Sequence, residues 1–174
     1  MRRGSATRTL NVTLAAPTAT ASAQRGGSGR VAVGQAAPEV TGTRISGPDN
    51  ATLSSLRGRV VVLDFWATWC GPCARIMPQL DALHAASHDR GLTILGVSDE
   101  SESLIRSHLA RHAVTYTIAR ETGAAQAAFG VNALPTIVVI DRRGVVRDVQ
   151  VGFDSSTFAR LRAEVDMLLA EPAP

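Results

Sequence analysis

The two cysteines of the chain, Cys70 and Cys73, are three positions apart and follow an apolar run at residues 60–66 after three intervening residues. Such a run is typical of a buried strand. A helix that starts near Gly71 would point its free backbone N–H groups and the positive end of its dipole at the Cys70 sulfur. This placement lowers the pKa of the Cys70 thiol and makes Cys70 the expected nucleophile. Cys73, one helical turn further on, is then the expected resolving thiol, and the pair predicts reversible thiol–disulfide chemistry.

A zinc site is the main alternative for the cysteines, because His84 and His88 follow them at a spacing close to that of a zinc finger. The helix between Cys73 and His84 rises about 16 Å, whereas zinc bonds are about 2 Å long, so we predict no metal there. The pairs His84/His88 and His108/His112 could each hold a metal on a helix face. The sequence shows no third ligand for either pair, and we expect solvated histidines.

The segment at residues 64–73, DFWATWCGPC, resembles the active-site segment of the thioredoxin superfamily. The layout from about residue 34 to 169 resembles the TlpA/ResA-like branch of thiol:disulfide oxidoreductases. A C-x-x-C alone is a weak signal; here a strand, an adjoining tryptophan, an intervening Gly-Pro pair and a later Leu134-Pro135 support it together. The resemblance implies an α/β fold, a thioredoxin-like three-layer α/β/α sandwich with a mixed central sheet.

The resemblance also implies roles for residues outside the cysteine pair. Pro135 is expected as a cis-proline that faces the cysteines and presents the Leu134 backbone to an extended substrate segment. An ordinary trans-proline at the start of a strand is the alternative. Thioredoxins have an aspartate at the position of Asp64, behind the resolving cysteine, where it helps to move a proton. Many TlpA-like proteins instead place a glutamate three residues after the second cysteine, where this chain has Ile76.

Asp64 is therefore the expected proton shuttle for Cys73. A carboxyl group in a central strand is costly to bury, and burial raises its pKa. The alternative interpretation is a residue at the end of the strand that reaches water.

The residues that flank the cysteines are expected to shape the site and contact substrate. Trp69 offers an apolar contact, and Gly71 and Pro72 shape the turn. The resemblance associates this Gly-Pro dipeptide with reducing members, which favours a reductase over an oxidase. A peroxiredoxin-like peroxidase is disfavoured because that family has threonine three residues before its reactive cysteine, and this chain has Ala67 there.

Composition predicts one domain and an N-terminal tail. The chain has 174 residues, 45% of them hydrophobic, enough for one ordinary core. Residues 1–37 are expected to be a disordered tail or a degenerate signal segment, and residues 38–171 the folded domain. The tail holds five of the 18 basic residues, leaving 13 against all 15 acids, so the domain lacks the basic surface that nucleic-acid binding needs.

The tail sets the expectation for localisation. Ala21-Ser22-Ala23 has the form of a signal-peptide cleavage site, which favours a periplasmic or otherwise exported protein, with a cytoplasmic protein as the alternative. No apolar run is long enough to predict a transmembrane helix.

Hydrophobic periodicity and turn residues predict the elements that position the cysteines. A β-hairpin is expected over residues 38–56, around a turn at 47–50. The further predictions are strands at 60–66, 92–97, 114–118, 136–140 and 145–151, and helices at 71–88, 99–112, 122–129 and 154–170.

These patterns predict a monomeric thiol:disulfide oxidoreductase that reduces protein disulfides through Cys70 and Cys73. Its expected partners are a disulfide-containing protein substrate and an upstream dithiol electron donor, and the chemistry requires no metal or organic cofactor. A peroxidase and a non-catalytic binding module are the alternative functions.

Overall fold

Residues 31–172, which the computed structural model describes, form six β-strands and four α-helices. The strands are β1 (Thr43–Ser46), β2 (Val60–Phe65), β3 (Leu92–Ser98), β4 (Thr117–Arg120), β5 (Thr136–Ile140) and β6 (Val146–Val151). The helices are α1 (Gly71–Ser87), α2 (Glu102–Leu109), α3 (Ala124–Phe129) and α4 (Ser155–Ala170). Within this part of the chain, no helix is both long and apolar enough to cross a membrane.

The strands form one mixed sheet in the order β1-β4-β3-β2-β5-β6. β2, β3 and β4 run parallel, while β1, β5 and β6 each pair antiparallel with their neighbours. Every residue of β2 and β3 is buried, as expected for central strands covered on both faces. One face packs against α1, α2 and α4, and the other packs against α3 and the N-terminal segment. The α/β sandwich of three layers is therefore confirmed.

Alternation along β2 decides which side chains face the cysteines. Val60 and Val62 contribute to the core beneath α1, whereas Val61 and Leu63 contribute to the core on the opposite face. Because side chains alternate along a strand, Asp64 lies on the α1 side of the sheet. Cys73 belongs to the same core, so the strand directs this carboxyl group into the layer that holds the resolving thiol.

The predicted N-terminal hairpin is shorter than expected. Within residues 31–172, its two arms are joined across the turn by a single β-bridge, between Thr41 and Thr52. β1 instead pairs antiparallel with β4 and becomes an edge of the main sheet.

Residues 31–37, assigned from the sequence to the tail, contact the domain. Gly34 donates a backbone hydrogen bond to Val146, Ala37 donates one to Gly144, and Val31 is buried. Residues from Val31 onward therefore already pack against the folded domain. The predicted signal segment lies outside the described residues.

The predicted strand at 114–118 is displaced toward the C-terminus. Thr115 donates both its backbone N–H and its hydroxyl to the Asp81 carboxylate of α1, at 2.5 and 2.8 Å. A helix side chain thus binds the Thr115 backbone donor that a strand would use, and β4 begins only at Thr117.

Candidate active site

The cysteine pair lies at the start of α1, as the sequence predicts. Cys70 is the N-cap of the helix, and its sulfur accepts a hydrogen bond from the Cys73 backbone N–H at 3.2 Å. The two residues form a disulfide with their Cα atoms 5.2 Å apart. Both cysteines are buried, but Cys70 retains 5% of its surface and Cys73 retains none, so Cys70 is the more accessible of the two residues. The same N–H group that contacts Cys70 would stabilise a thiolate there after reduction.

The residues flanking the pair differ in exposure. Trp69 is 75% exposed, Gly71 is exposed, and Pro72 occupies the first turn of α1, where its missing N–H costs nothing. Trp66 is fully buried and its ring packs 5.2 Å from that of His108. Trp69 therefore presents free apolar surface beside the disulfide, while Trp66 belongs to the core.

Glu100 holds the loop between β2 and the cysteines, a role that sequence reasoning missed. Its carboxylate accepts the Thr68 backbone N–H at 2.6 Å and the Thr68 hydroxyl at 2.7 Å. The sequence placed Glu100 only at a helix N-terminus. The contact between Glu100 and Thr68 could have been anticipated. β2 and β3 are parallel, so the residues that follow them meet at one edge of the sheet.

The Leu134-Pro135 peptide bond is cis, which confirms the predicted isomer. β5 pairs antiparallel with β2 so that Thr136 lies opposite Phe65, which places Pro135 at the sheet edge from which the cysteine loop leaves. The Pro135 carbonyl accepts the Gly152 N–H at 2.8 Å. Neither backbone polar group of Leu134 has a hydrogen-bond partner in the part of the chain described.

Asp64 is fully buried in the middle of the sheet, paired with Gly96 on one side and Ile137 on the other. The alternative of a strand-end carboxyl in contact with water is therefore wrong. Neither of its carboxyl oxygens has a hydrogen-bond partner among residues 31–172. Burial raises the pKa of Asp64 from 3.8 to about 7. Burial, followed by the charge of Asp64, also raises the pKa of Tyr116.

Two of the four histidines are buried, so the expectation of solvated histidines is wrong for His84 and His108. Both lie on the inner faces of their helices, where His108 packs on a tryptophan and His84 lies near Tyr116. Burial, and next the charge of His88, lower the pKa of His84, which keeps its imidazole neutral near pH 7. The structure also places Asp49 beside His84 and His88, a proximity that the sequence did not reveal.

Comparison with known proteins agrees with this arrangement. The sequence matches the Redoxin family over residues 32–165. It is 32% identical over 123 residues to the thioredoxin-like protein YneN of Bacillus subtilis, covering 68% of this chain and 71% of that protein. It is 35% identical over 124 residues to the thiol-disulfide oxidoreductase ResA of Geobacillus kaustophilus, covering 70% and 71%.

Solved structures agree with the sequence relatives. A thiol:disulfide interchange protein of the thioredoxin family from Chlorobium tepidum superposes with a TM-score of 0.69 at 27% identity, covering 80% of this chain and 99% of that one. Together with the cysteine pair at the head of α1 and the cis-proline beside it, these matches place the chain in the Redoxin family, as a TlpA/ResA-like thiol:disulfide oxidoreductase of the thioredoxin superfamily.

Proposed function

We propose that this oxidoreductase reduces disulfides of protein substrates, with Cys70 as nucleophile, Cys73 as resolving thiol and Asp64 as the proton acceptor for Cys73. The observation that carries the proposal is the asymmetry of the pair. Cys70, at the helix N-terminus, retains a small exposed surface, whereas Cys73 is fully enclosed in the layer that also receives a buried carboxyl group.

The reaction consists of two thiol–disulfide exchanges. The Cys70 thiolate attacks one sulfur of the substrate disulfide, forming a mixed disulfide and expelling the other substrate sulfur as a thiolate. Cys73 then loses its proton, attacks the Cys70 sulfur and releases the second substrate thiol. The substrate gains two electrons, and the enzyme is left with the Cys70–Cys73 disulfide. An upstream dithiol protein supplies two electrons to restore the reduced enzyme.

Asp64 is suited to the second exchange. A base transfers protons best when its pKa lies near the working pH, and burial raises the pKa of Asp64 to about 7. Its side chain lies on the α1 side of the sheet, the side on which Cys73 is buried. Because the attacking group must be a thiolate, a carboxylate able to accept the Cys73 proton there would speed resolution.

The substrate surface is proposed to run along the sheet edge beside the cysteines. The Leu134 backbone would bind an extended substrate segment in the manner of an added strand. Trp69 supplies exposed apolar surface on one side, and Val151, which lies opposite Thr136 and is also exposed, extends it on the other. Gly71 and Pro72 keep the intervening turn small enough for a polypeptide to approach Cys70.

The reducing direction and an exported location are part of the proposal. The Gly-Pro dipeptide between the cysteines supports the direction, and the small residues at 21–23 support export. The reduction potential of the pair, measured against glutathione, sets the direction once the compartment is known from fractionation and N-terminal sequencing of the mature protein.

Reduction of insulin disulfides in the presence of dithiothreitol tests the activity. The double variant Cys70→Ser/Cys73→Ser is expected to lose it. Cys73→Ser alone should accumulate a mixed disulfide at Cys70, detectable by mass spectrometry, whereas Cys70→Ser should not. Hydrogen peroxide consumed faster than insulin would favour a peroxidase, and partner binding unaffected by the double variant would favour a binding module.

For Asp64, we expect Asp64→Asn to slow resolution of the mixed disulfide on the order of 100-fold while leaving its formation nearly unchanged. Rapid mixing followed by acid quench at pH 7.5 separates the two steps. Equal rates for both steps in the wild type and the variant would contradict the proposed proton transfer.

A further inference from the structure

We infer that Asp49, His84 and His88 form a zinc-binding site at the end of α1 remote from the cysteines. One ligand atom from each residue lies within 4.8 Å of the other two. His88 Nε2 is 3.4 Å from Asp49 Oδ1, and His84 Nε2 is 4.0 Å from Asp49 Oδ2. Tetrahedral zinc with bonds of about 2.0–2.1 Å separates its ligand atoms by roughly 3.4 Å. The His88–Asp49 pair already has this separation.

Ordered elements hold the three residues. His84 lies in the last turn of α1 and His88 directly follows the helix as its C-cap, and their rings lie 4.7 Å apart. Asp49 lies in the loop after β1, where its backbone N–H donates to the Thr117 hydroxyl of β4 at 2.8 Å. A metal ion here would join the loop to the helix, two segments brought together only by the fold.

Two buried polar atoms in this cluster lack the partners that burial requires. His84 is 5% exposed, yet neither His84 Nε2 nor Asp49 Oδ2 has a hydrogen-bond partner in the described part of the chain. Buried polar atoms without partners are costly. A cation between them satisfies both.

A neighbouring hydroxyl favours the tautomer of His84 that a metal requires. The Thr115 hydroxyl donates to Asp81, so its oxygen is left to accept a hydrogen bond from His84 Nδ1, 3.4 Å away. With the proton on Nδ1, Nε2, which lies 4.0 Å from Asp49 Oδ2, is left with a free lone pair. Such a second partner for a ligating histidine is typical of zinc sites. His88 has a similar contact, Nδ1 to the Asp89 carboxylate at 3.5 Å.

The donor set selects the class of ion. Two imidazole nitrogens and one carboxylate oxygen suit zinc and its neighbours in the first transition row, whereas magnesium and calcium prefer sites made entirely of oxygen. Three protein ligands leave a fourth position for water. The His88 side chain is 31% exposed, which gives the ion a route from solvent.

Zinc titration of the full chain, free of any histidine tag and with its disulfide intact, tests the site. The disulfide removes both thiols as competing ligands. We expect calorimetry to show one Zn²⁺ bound per chain, and Co²⁺ to give the visible absorption of a four-coordinate site. His88→Ala and Asp49→Asn should each weaken zinc binding at least tenfold. At a zinc concentration about 100 times the wild-type dissociation constant, the Tm of the wild type should rise by roughly 5–10 °C, and that of Asp49→Asn should rise by about half as much or less.

His112→Ala is the matched control. His108 and His112 are also four residues apart with ring centroids 4.7 Å apart, but no acidic third ligand accompanies them among residues 31–172. This variant should bind zinc as the wild type does. Absence of binding below about 1 mM zinc, unchanged affinity in both His88→Ala and Asp49→Asn, or equal weakening by His112→Ala would each overturn the inference. Because the disulfide stays closed throughout, these results are independent of whether the protein reduces substrates.

Discussion

At the scale of single residues, the exposed tryptophan beside the disulfide is the feature that the fold does not explain. A tryptophan buries a large apolar area when it has somewhere to pack, yet Trp69 is 75% exposed while Trp66, three residues earlier, is fully buried. Keeping Trp69 in solvent forgoes stabilisation that burial would bring. Because Trp69 lies next to Cys70, we attribute its exposure to a role in contacting substrate.

We therefore expect Trp69→Ala to raise the KM for insulin reduction roughly 5- to 30-fold, the effect of about 1–2 kcal/mol of lost apolar contact. The kcat and the unfolding free energy should change little, because the side chain packs on little of its own protein. Steady-state kinetics and urea unfolding measure both. Leu104→Ala, an apolar residue 52% exposed on α2, is the control and should leave KM unchanged. A loss confined to kcat would contradict a role in substrate binding.

At the scale of elements, the loop that joins β2 to the cysteines depends on the neighbouring strand β3 as well as on β2. β2 delivers the chain to the loop, but the loop itself is bound by Glu100, which follows the parallel neighbour β3. The Thr68 N–H is one of the donors that a turn leaves without a strand or helix partner, and the carboxylate satisfies it. The position of Cys70 therefore depends on two strand ends remaining in register.

We expect Glu100→Ala to lower the free energy of unfolding by about 1–3 kcal/mol, the cost of leaving the Thr68 donors without their charged acceptor. Insulin reduction should fall as well, because the loop loses its anchor. Urea unfolding and the insulin assay measure both effects. Glu102→Ala, two residues further along the chain, is the control. It removes an exposed i,i+4 ion pair with Arg106 and should lower the free energy of unfolding by less than about 0.5 kcal/mol. Equal losses in the two variants would show that the anchor has no special role.

The elements also show what the sequence could predict and what it could not. The strand Thr136–Ile140 and the final helix, which the Asp154 side chain caps, were predicted at their observed bounds or within a residue, because periodicity and capping are local. β4 was misplaced because its start depends on Asp81, a side chain more than 30 residues earlier. The proximity of Asp49 to the two histidines was missed for the same reason, since only the fold brings them together.

The same distinction between local patterns and long-range contacts applies to the candidate site. The cysteine pair, the cis-proline and Asp64 could be found from a contiguous segment and one later dipeptide, through resemblance. The full burial of Asp64 could not be found in this way, because an aspartate near the end of an apolar run is also compatible with a strand end that is exposed to water. Pairing of Asp64 with Gly96 and Ile137 decides between the two.

At the scale of the whole molecule, two buried aspartates affect stability in opposite directions. Burial tends to raise the pKa of Asp141 as well, but the backbone N–H groups of Val145 and Arg143, each 2.9 Å away, and then Arg147, hold it below its ordinary value. Asp64 has no such partners among the described residues, and burial raises its pKa to about 7. Asp141 therefore has hydrogen bonds that favour its ionised form, whereas the burial of Asp64 favours its protonated form.

This contrast predicts how stability depends on pH. Below pH 3.8 Asp64 is protonated in both the folded and the unfolded chain. As the pH rises from 3.8 to about 7, the unfolded chain loses the proton while the folded chain keeps it, so the contribution of Asp64 to stability falls. Above about pH 7 the loss is complete and amounts to roughly 4 kcal/mol at most. We expect Asp64→Asn, which cannot ionise, to be more stable than the wild type at pH 8 and to lose this advantage at pH 4.

Urea unfolding of the oxidised proteins between pH 4 and pH 9 measures the difference, because the closed disulfide keeps the thiols from titrating. Asp141→Asn is the control: Asp141 is ionised in both states above pH 5, so its difference from the wild type should stay constant from pH 5 to pH 9. A constant difference between Asp64→Asn and the wild type over the whole range would mean that Asp64 ionises in the folded chain at its ordinary pKa. That result would also remove the basis for proton transfer from Cys73 to Asp64, since a carboxyl group with a pKa near 4 is too weak a base near neutral pH to accept a thiol proton effectively.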